Sequence, residues 1–152
     1  MSNPKFQIQN LMKLNKKIKI SKSKIQNSMI LNIKHYSNSN YVYKFDEHLR
    51  INKANHKIGL KYFSYPALVS LDKPPGYIII NIDIIENDIT KNNVLKVVKI
   101  NNNREISCDS PQYYNLNDSY INKIKITYLD ENGRYIKFDK AYIYLDLEII
   151  KI

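Results

Sequence analysis

A chain of 152 residues is long enough to bury a core of its own, and with a single cysteine it can form neither an internal disulfide nor a Cys-based zinc site. Its three glycines, Gly59, Gly76 and Gly133, stand too far apart to write a phosphate-cradling loop, which excludes the nucleotide-binding fingerprints. The net charge of +10 is uneven: nine lysines and no acid fall in the first 45 residues, whereas the remaining 107 hold 15 basic and 14 acidic side chains.

Residues 1 to 27 read as a basic N-terminal arm preceding a domain over 28–152. Phe6 to Leu14 suits either a short helix or an unfolded arm, and Lys17-Ile18-Lys19-Ile20-Ser21 has a strand-like alternation. Lys13, Lys16, Lys17, Lys19, Lys22 and Lys24 crowd into twelve residues. Such a cluster can meet phosphates as point charges without reading sequence, or it can stud an arm that adds a strand to a neighbouring subunit. The segment has no continuous apolar stretch of the secretory kind, and one cysteine fits a reducing compartment.

From residue 29 onward β-branched and aromatic residues predominate, and the pattern is one of strands. Met29 to Lys34, Tyr41 to Phe45 and Lys57 to Phe63 are the first three. Pro66 and Lys73-Pro74-Pro75-Gly76 mark loops, because proline cannot donate to a central ladder. Gly76 to Glu86 resumes as strand, its first half reading as buried on both faces. Within it, Tyr77 to Ile85 is the longest nearly uncharged apolar run, and it is far short of the ~20 residues of a membrane-spanning helix, so the protein is expected to be soluble.

Val94 to Ile100 and Arg104 to Cys108 flank Asn101-Asn102-Asn103 and read as a hairpin. Ser110 to Ser119 reads as a loop. Tyr120 to Tyr128 then alternates, with Asn122, Ile124, Ile126 and Tyr128 as its inner set, before Asp130-Glu131-Asn132-Gly133 reverses the chain. Arg134 to Phe138 and Tyr142 to Ile149 complete an expected three-stranded meander, in which Ile143, Leu145, Leu147 and Ile149 share a face. About eight strands at short spacings, with no amphipathic helix between them, predict an all-β fold: a single jelly roll or related antiparallel β-sandwich.

The chain carries no recognisable catalytic set. Asp46-Glu47-His48 places two carboxylates beside a histidine, but consecutive residues on a strand face opposite ways and cannot converge on one ion, so a solvated loop is expected. Asp130 and Glu131 read as solvated turn residues, Asp146 and Glu148 as the exposed face of a strand, and Cys108 as a small half-buried hydrophobe. No catalytic, metal or cofactor site is expected. The 13 tyrosines are the remaining feature, and Tyr113, Tyr114, Tyr142 and Tyr144 are the candidates for subunit contacts, since tyrosine buries a large ring while keeping a polar tip. Tyr120, Lys123, Lys125 and Tyr128 do not share one face, which weakens a single-strand nucleic-acid reading of that sheet.

Tyr113-Tyr114-Asn115-Leu116-Asn117, Tyr120 to Ile126, Asp130 to Gly133, Ile136-Lys137-Phe138 and Tyr144 to Ile149 together resemble the C-terminal end of small virion proteins of Polinton/Maverick-type elements and related double-stranded DNA viruses. The resemblance covers about the last 40 residues, and more faintly Tyr77 to Ile100. It implies a jelly-roll or related β-sandwich capsid protein, such as a penton or minor capsid subunit, located in the virion and assembling as a homo-oligomer with other capsid subunits. The alternative is a nucleic-acid-binding β-domain of such a genome, acting through the basic arm.

Overall fold

The computed structural model describes residues 28–86 and 92–152, so the six lysines of the expected arm and the Lys17 to Ser21 stretch lie outside the described residues. Residues 31–148 form one compact unit, and the ends 28–30 and 149–152 group apart from it. Among the described residues there are ten strands: β1 Ser28–Tyr36, β2 Asn40–Arg50, β3 His56–Ser64, β4 Tyr77–Ile82, β5 Ile85–Glu86, β6 Val94–Lys99, β7 Glu105–Ser107, β8 Tyr113–Leu116, β9 Tyr120–Leu129 and β10 Tyr142–Lys151.

They build two sheets. One runs β1-β10-β3-β8-β5 with β7 also on β3, and the other runs β2-β9-β4-β6. With the short β5 and β7 set aside, the eight long strands fall in the orders first-eighth-third-sixth and second-seventh-fourth-fifth. That is the strand order of a jelly roll, so the fold is the antiparallel all-β sandwich that the sequence predicts.

The core follows from period-two alternation. Leu31 and Ile33 of β1, Ile78, Ile80 and Ile82 of β4, Ile124 and Ile126 of β9, and Ile143, Leu145 and Leu147 of β10 are all buried. Each such side chain contributes roughly 1.5–3 kcal/mol of burial. Part of the interior is aromatic. Phe63 stacks on Tyr65 and Tyr128 at 5.2 and 5.8 Å, and Phe138 meets Tyr128 edge-on at 5.6 Å.

Several local expectations are overturned. The meander does not exist: β9 and β10 lie in different sheets, and 134–138 is no strand, its ladder pairing being limited among the described residues to isolated bridges, Leu129 with Tyr135 and Leu68 with Phe138. β7 does not return against β6 but pairs with β3, placing Ser107 opposite Tyr62. The expected loop at 110–119 contains β8, which pairs with β3 from Lys57–Asn115 to Gly59–Tyr113. In β4 only alternate residues are buried, and a turn at 83–84 leads to β5 in the other sheet. Asn122 is exposed and Ile121 buried, because the β2–β9 register slips between Lys44 opposite Lys123 and Leu49 opposite Ile121.

Candidate interaction surface

On β10 the residues between the core positions point outward, and Tyr142 and Tyr144 are 49% and 41% exposed. β1 lies beside it and presents Asn32, Lys34 and Tyr36 by the same alternation. Lys34 Nζ sits 4.4 Å from the centre of the Tyr142 ring and 5.7 Å from that of Tyr144. Tyr36 meets Tyr142 edge-on at 5.4 Å. A cation over a ring face and an edge-on ring both follow the aromatic quadrupole. The result is a half-exposed aromatic patch around one lysine.

Farther along β10 the same face becomes polar. Asn32 Nδ2 donates to Asp146 Oδ1 at 2.7 Å. Tyr113 Oη, on β8, donates to Glu148 Oε1 at 2.5 Å, and Lys61 Nζ on β3 lies 4.0 Å from the same oxygen. The Tyr113 ring crosses β3 directly above Gly59, where an added Cβ would stand 2.9 Å from Tyr113 Cδ1 and 2.8 Å from Gln112 O. The hydrogen bond to Glu148, together with burial, pushes the Tyr113 hydroxyl up to about 12.

The four candidate tyrosines therefore separate. Tyr142 and Tyr144 share the exposed patch. Tyr113 is spent on Glu148, and Tyr114 is half-buried, with burial raising its hydroxyl pKa. Sequence reasoning missed Tyr36, whose outward position follows from the burial of Leu31, Ile33 and His35 on alternate sites.

It also missed a polar contact inside the sandwich. His35 is buried and stacks on Tyr41 at 4.2 Å. Its Nδ1 faces the Tyr36 carbonyl oxygen at 2.8 Å and its Nε2 faces Tyr128 Oη at 2.8 Å. A carbonyl only accepts, so Nδ1 carries the proton and Nε2 accepts from Tyr128. Desolvation lowers the His35 pKa and raises that of Tyr128.

Two other motifs resolve differently from expectation. Asp46, Glu47 and His48 lie in β2 at the register slip, in strand instead of a loop, and all three are exposed. Among the described residues no three His, Cys, Asp or Glu side chains are placed together so that they could hold a metal ion. Asp130 is not solvated. It is buried, its Oδ1 accepts from the backbone N–H of Asn132 and Arg134 at 2.8 and 2.9 Å, and its Oδ2 accepts from Arg134 Nε at 3.2 Å. Glu131 reaches across to accept from the Gly76 N–H at 3.0 Å. Cys108 is half-buried, and its backbone N–H donates to the Lys61 carbonyl. Among the described residues no helix is long and apolar enough to cross a membrane.

No protein-family model matches this sequence, and no curated protein matches it as a relative.

Proposed function

We propose that the chain is a structural subunit of a virus-like capsid, a penton or minor capsid protein, that meets its neighbours through the outer face of the β1–β10 pair. The observation that carries this reading is the aromatic patch itself: Tyr36, Tyr142 and Tyr144, each about half exposed, around Lys34. Tyrosine is enriched where protein surfaces meet, and the jelly roll is a frequent capsid scaffold, although fold alone assigns no role. The likeness of the last 40 residues to virion proteins supports the same reading.

Charge favours a protein neighbour over nucleic acid on this face. Strand alternation puts Lys34, Lys57 and Lys61 on it together with Glu86, Asp146 and Glu148, so it has no net positive charge to release counterions from phosphates. A nucleic-acid role would have to rest on another part of the chain, such as the lysines of residues 1–27.

Size-exclusion chromatography with light scattering, followed by electron microscopy of the purified chain with its co-expressed shell proteins, tests the assignment. Oligomers or particles containing the chain are expected. A strictly monomeric protein that never enters a particle defeats it.

A further inference from the structure

A second feature lies at the end of the patch. The turn between β1 and β2 and the extended segment 135–138 enclose an open groove of about 520 Å³, lined by Tyr36, Asn38, Asn40, Tyr135 and Lys137 among others. That volume falls within the roughly 300–1,000 Å³ usual for small-ligand sites.

The groove is built, not left over. Ser39 Oγ donates to the Ile136 carbonyl and ties the two rims together at their base. Tyr128 N–H donates to Ser39 O at 2.9 Å, and Ile136 N–H donates to Tyr128 O at 3.0 Å. Ile136 and Phe138 are buried, which turns Tyr135 and Lys137 outward. On the other rim Asn38 Oδ1 accepts from the Asn40 N–H at 3.0 Å and holds the turn. Tyr36 and Tyr135, 51% and 56% exposed, thus present rings from opposite rims. Ser37, Asn40 and Lys137 make no side-chain hydrogen bond among the described residues, and the Asn38 amide nitrogen is likewise unspent.

Flat rings beside unspent hydroxyl and amide groups match one chemistry well. A pyranose ring offers an apolar face of C–H groups to an aromatic side chain while its hydroxyls exchange hydrogen bonds with Asn and Ser. Among the described residues the only charged one in the lining is Lys137. One cation gives a nucleic acid one phosphate contact, too few for the electrostatic term that dominates its binding, but it suffices to pair with a single carboxylate or sulfate. We propose that this groove is a saccharide-binding site that takes a pyranose carrying one anionic substituent.

Saturation-transfer NMR on the full chain tests this with three probes: sialyllactose, lactose and an oligothymidylate. Transfer to the ring protons of sialyllactose is expected, weaker transfer to lactose, and affinity of roughly millimolar order, near 4 kcal/mol. Lys137→Gln should weaken sialyllactose binding about 3- to 10-fold and bring it to the level of lactose, since it removes the only charge. Tyr135→Ala should abolish transfer, whereas Tyr120→Ala, an exposed tyrosine on the other sheet, should leave it unchanged. Absence of transfer to either sugar overturns the proposal. So does oligothymidylate binding that the same two substitutions remove, or sugar binding that neither substitution alters.

Discussion

The hydroxyl of Tyr128 on β9 donates to Nε2 of His35 on β1 at 2.8 Å, so a hydrogen bond joins the two sheets through an apolar interior. Burial is the larger influence on His35 and depresses its pKa below the ordinary 6.5, with the Tyr36 carbonyl acting in the opposite sense. The folded protein therefore holds this imidazole neutral, while the unfolded chain takes up a proton near pH 6.5. Stability from this site is fully present above that value and is lost as pH falls below it. The urea midpoint of the wild type should drop between about pH 7.5 and about pH 5.5, and His35→Gln, which can still accept from Tyr128 and donate to Tyr36, should flatten that drop. His35→Ala should cost about 2–4 kcal/mol at neutral pH, because it leaves both a cavity and a buried hydroxyl without an acceptor.

The corner at 130–134 depends on two residues with different physics. Gly133 has φ of +79° and nothing within 4 Å of a Cβ placed there, so only backbone strain opposes a side chain. Gly133→Ala should cost about 1 kcal/mol and Gly133→Asn less, because asparagine tolerates the left-handed region. Asp130 has its pKa lowered, chiefly by the Arg134 backbone N–H and then by that of Asn132, with the Arg134 charge also helping and burial opposing. Its contribution is present above the ordinary carboxylate range and is lost as pH falls through the lowered value. Asp130→Asn should therefore lower the urea midpoint at neutral pH and shrink its further loss on acidification, followed by circular dichroism.

Gly59 and Tyr113 form a matched pair across β3 and β8. Backbone cannot yield easily to the Cβ of Gly59→Ala, which would meet Gln112 O at 2.8 Å, and the Tyr113 ring would be lifted off Glu148. A loss of about 1–3 kcal/mol is expected from overpacking. Tyr113→Phe should cost less, since the ring still covers the glycine. Its signature lies in the alkaline range: the folded hydroxyl titrates near 12 against an ordinary 10, so wild-type stability falls as pH rises from about 10 toward 12. Absorbance titration of the folded phenolates should show one late tyrosine fewer in Tyr113→Phe.

Alternation made the strands at 41–45 and 142–149 legible, because burial of Ile143, Leu145 and Leu147 beside exposed Tyr142 and Tyr144 is a property of adjacent residues. Sheet membership was not legible. The Asp130-Glu131-Asn132-Gly133 signal specifies a reversal but not the sheet to which the chain returns, so β9 and β10 read as partners although a corner separates them. β8 escaped, and β7 was given the wrong partner, for a related reason: both are short and lie against β3, whose register could not be known from their own composition. The patch was half visible through Tyr142 and Tyr144. Tyr36 and Lys34 joined it only when β1 came to lie beside β10, more than a hundred residues away in the chain.

That patch also yields the sharpest separation of stability from association. Tyr142 and Tyr144 contribute exposed ring surface and a shared contact with Lys34, and neither makes a side-chain hydrogen bond among the described residues. Exposed cation–ring contacts are worth about 0.5–1 kcal/mol. Tyr142→Ser combined with Tyr144→Ser should therefore lower the unfolding free energy by no more than about 2 kcal/mol, and the monomer should keep its far-ultraviolet spectrum. Association should respond far more, because tyrosines at the centre of an interface often cost 2 kcal/mol or more each, a combined loss on the order of a thousandfold in affinity. Light scattering of the double variant beside Tyr120→Ser, whose ring is 55% exposed on the other sheet, supplies the comparison. Loss of oligomers in the first and retention in the second is the expected pattern; equal retention in both would remove the β1–β10 face as the contact surface.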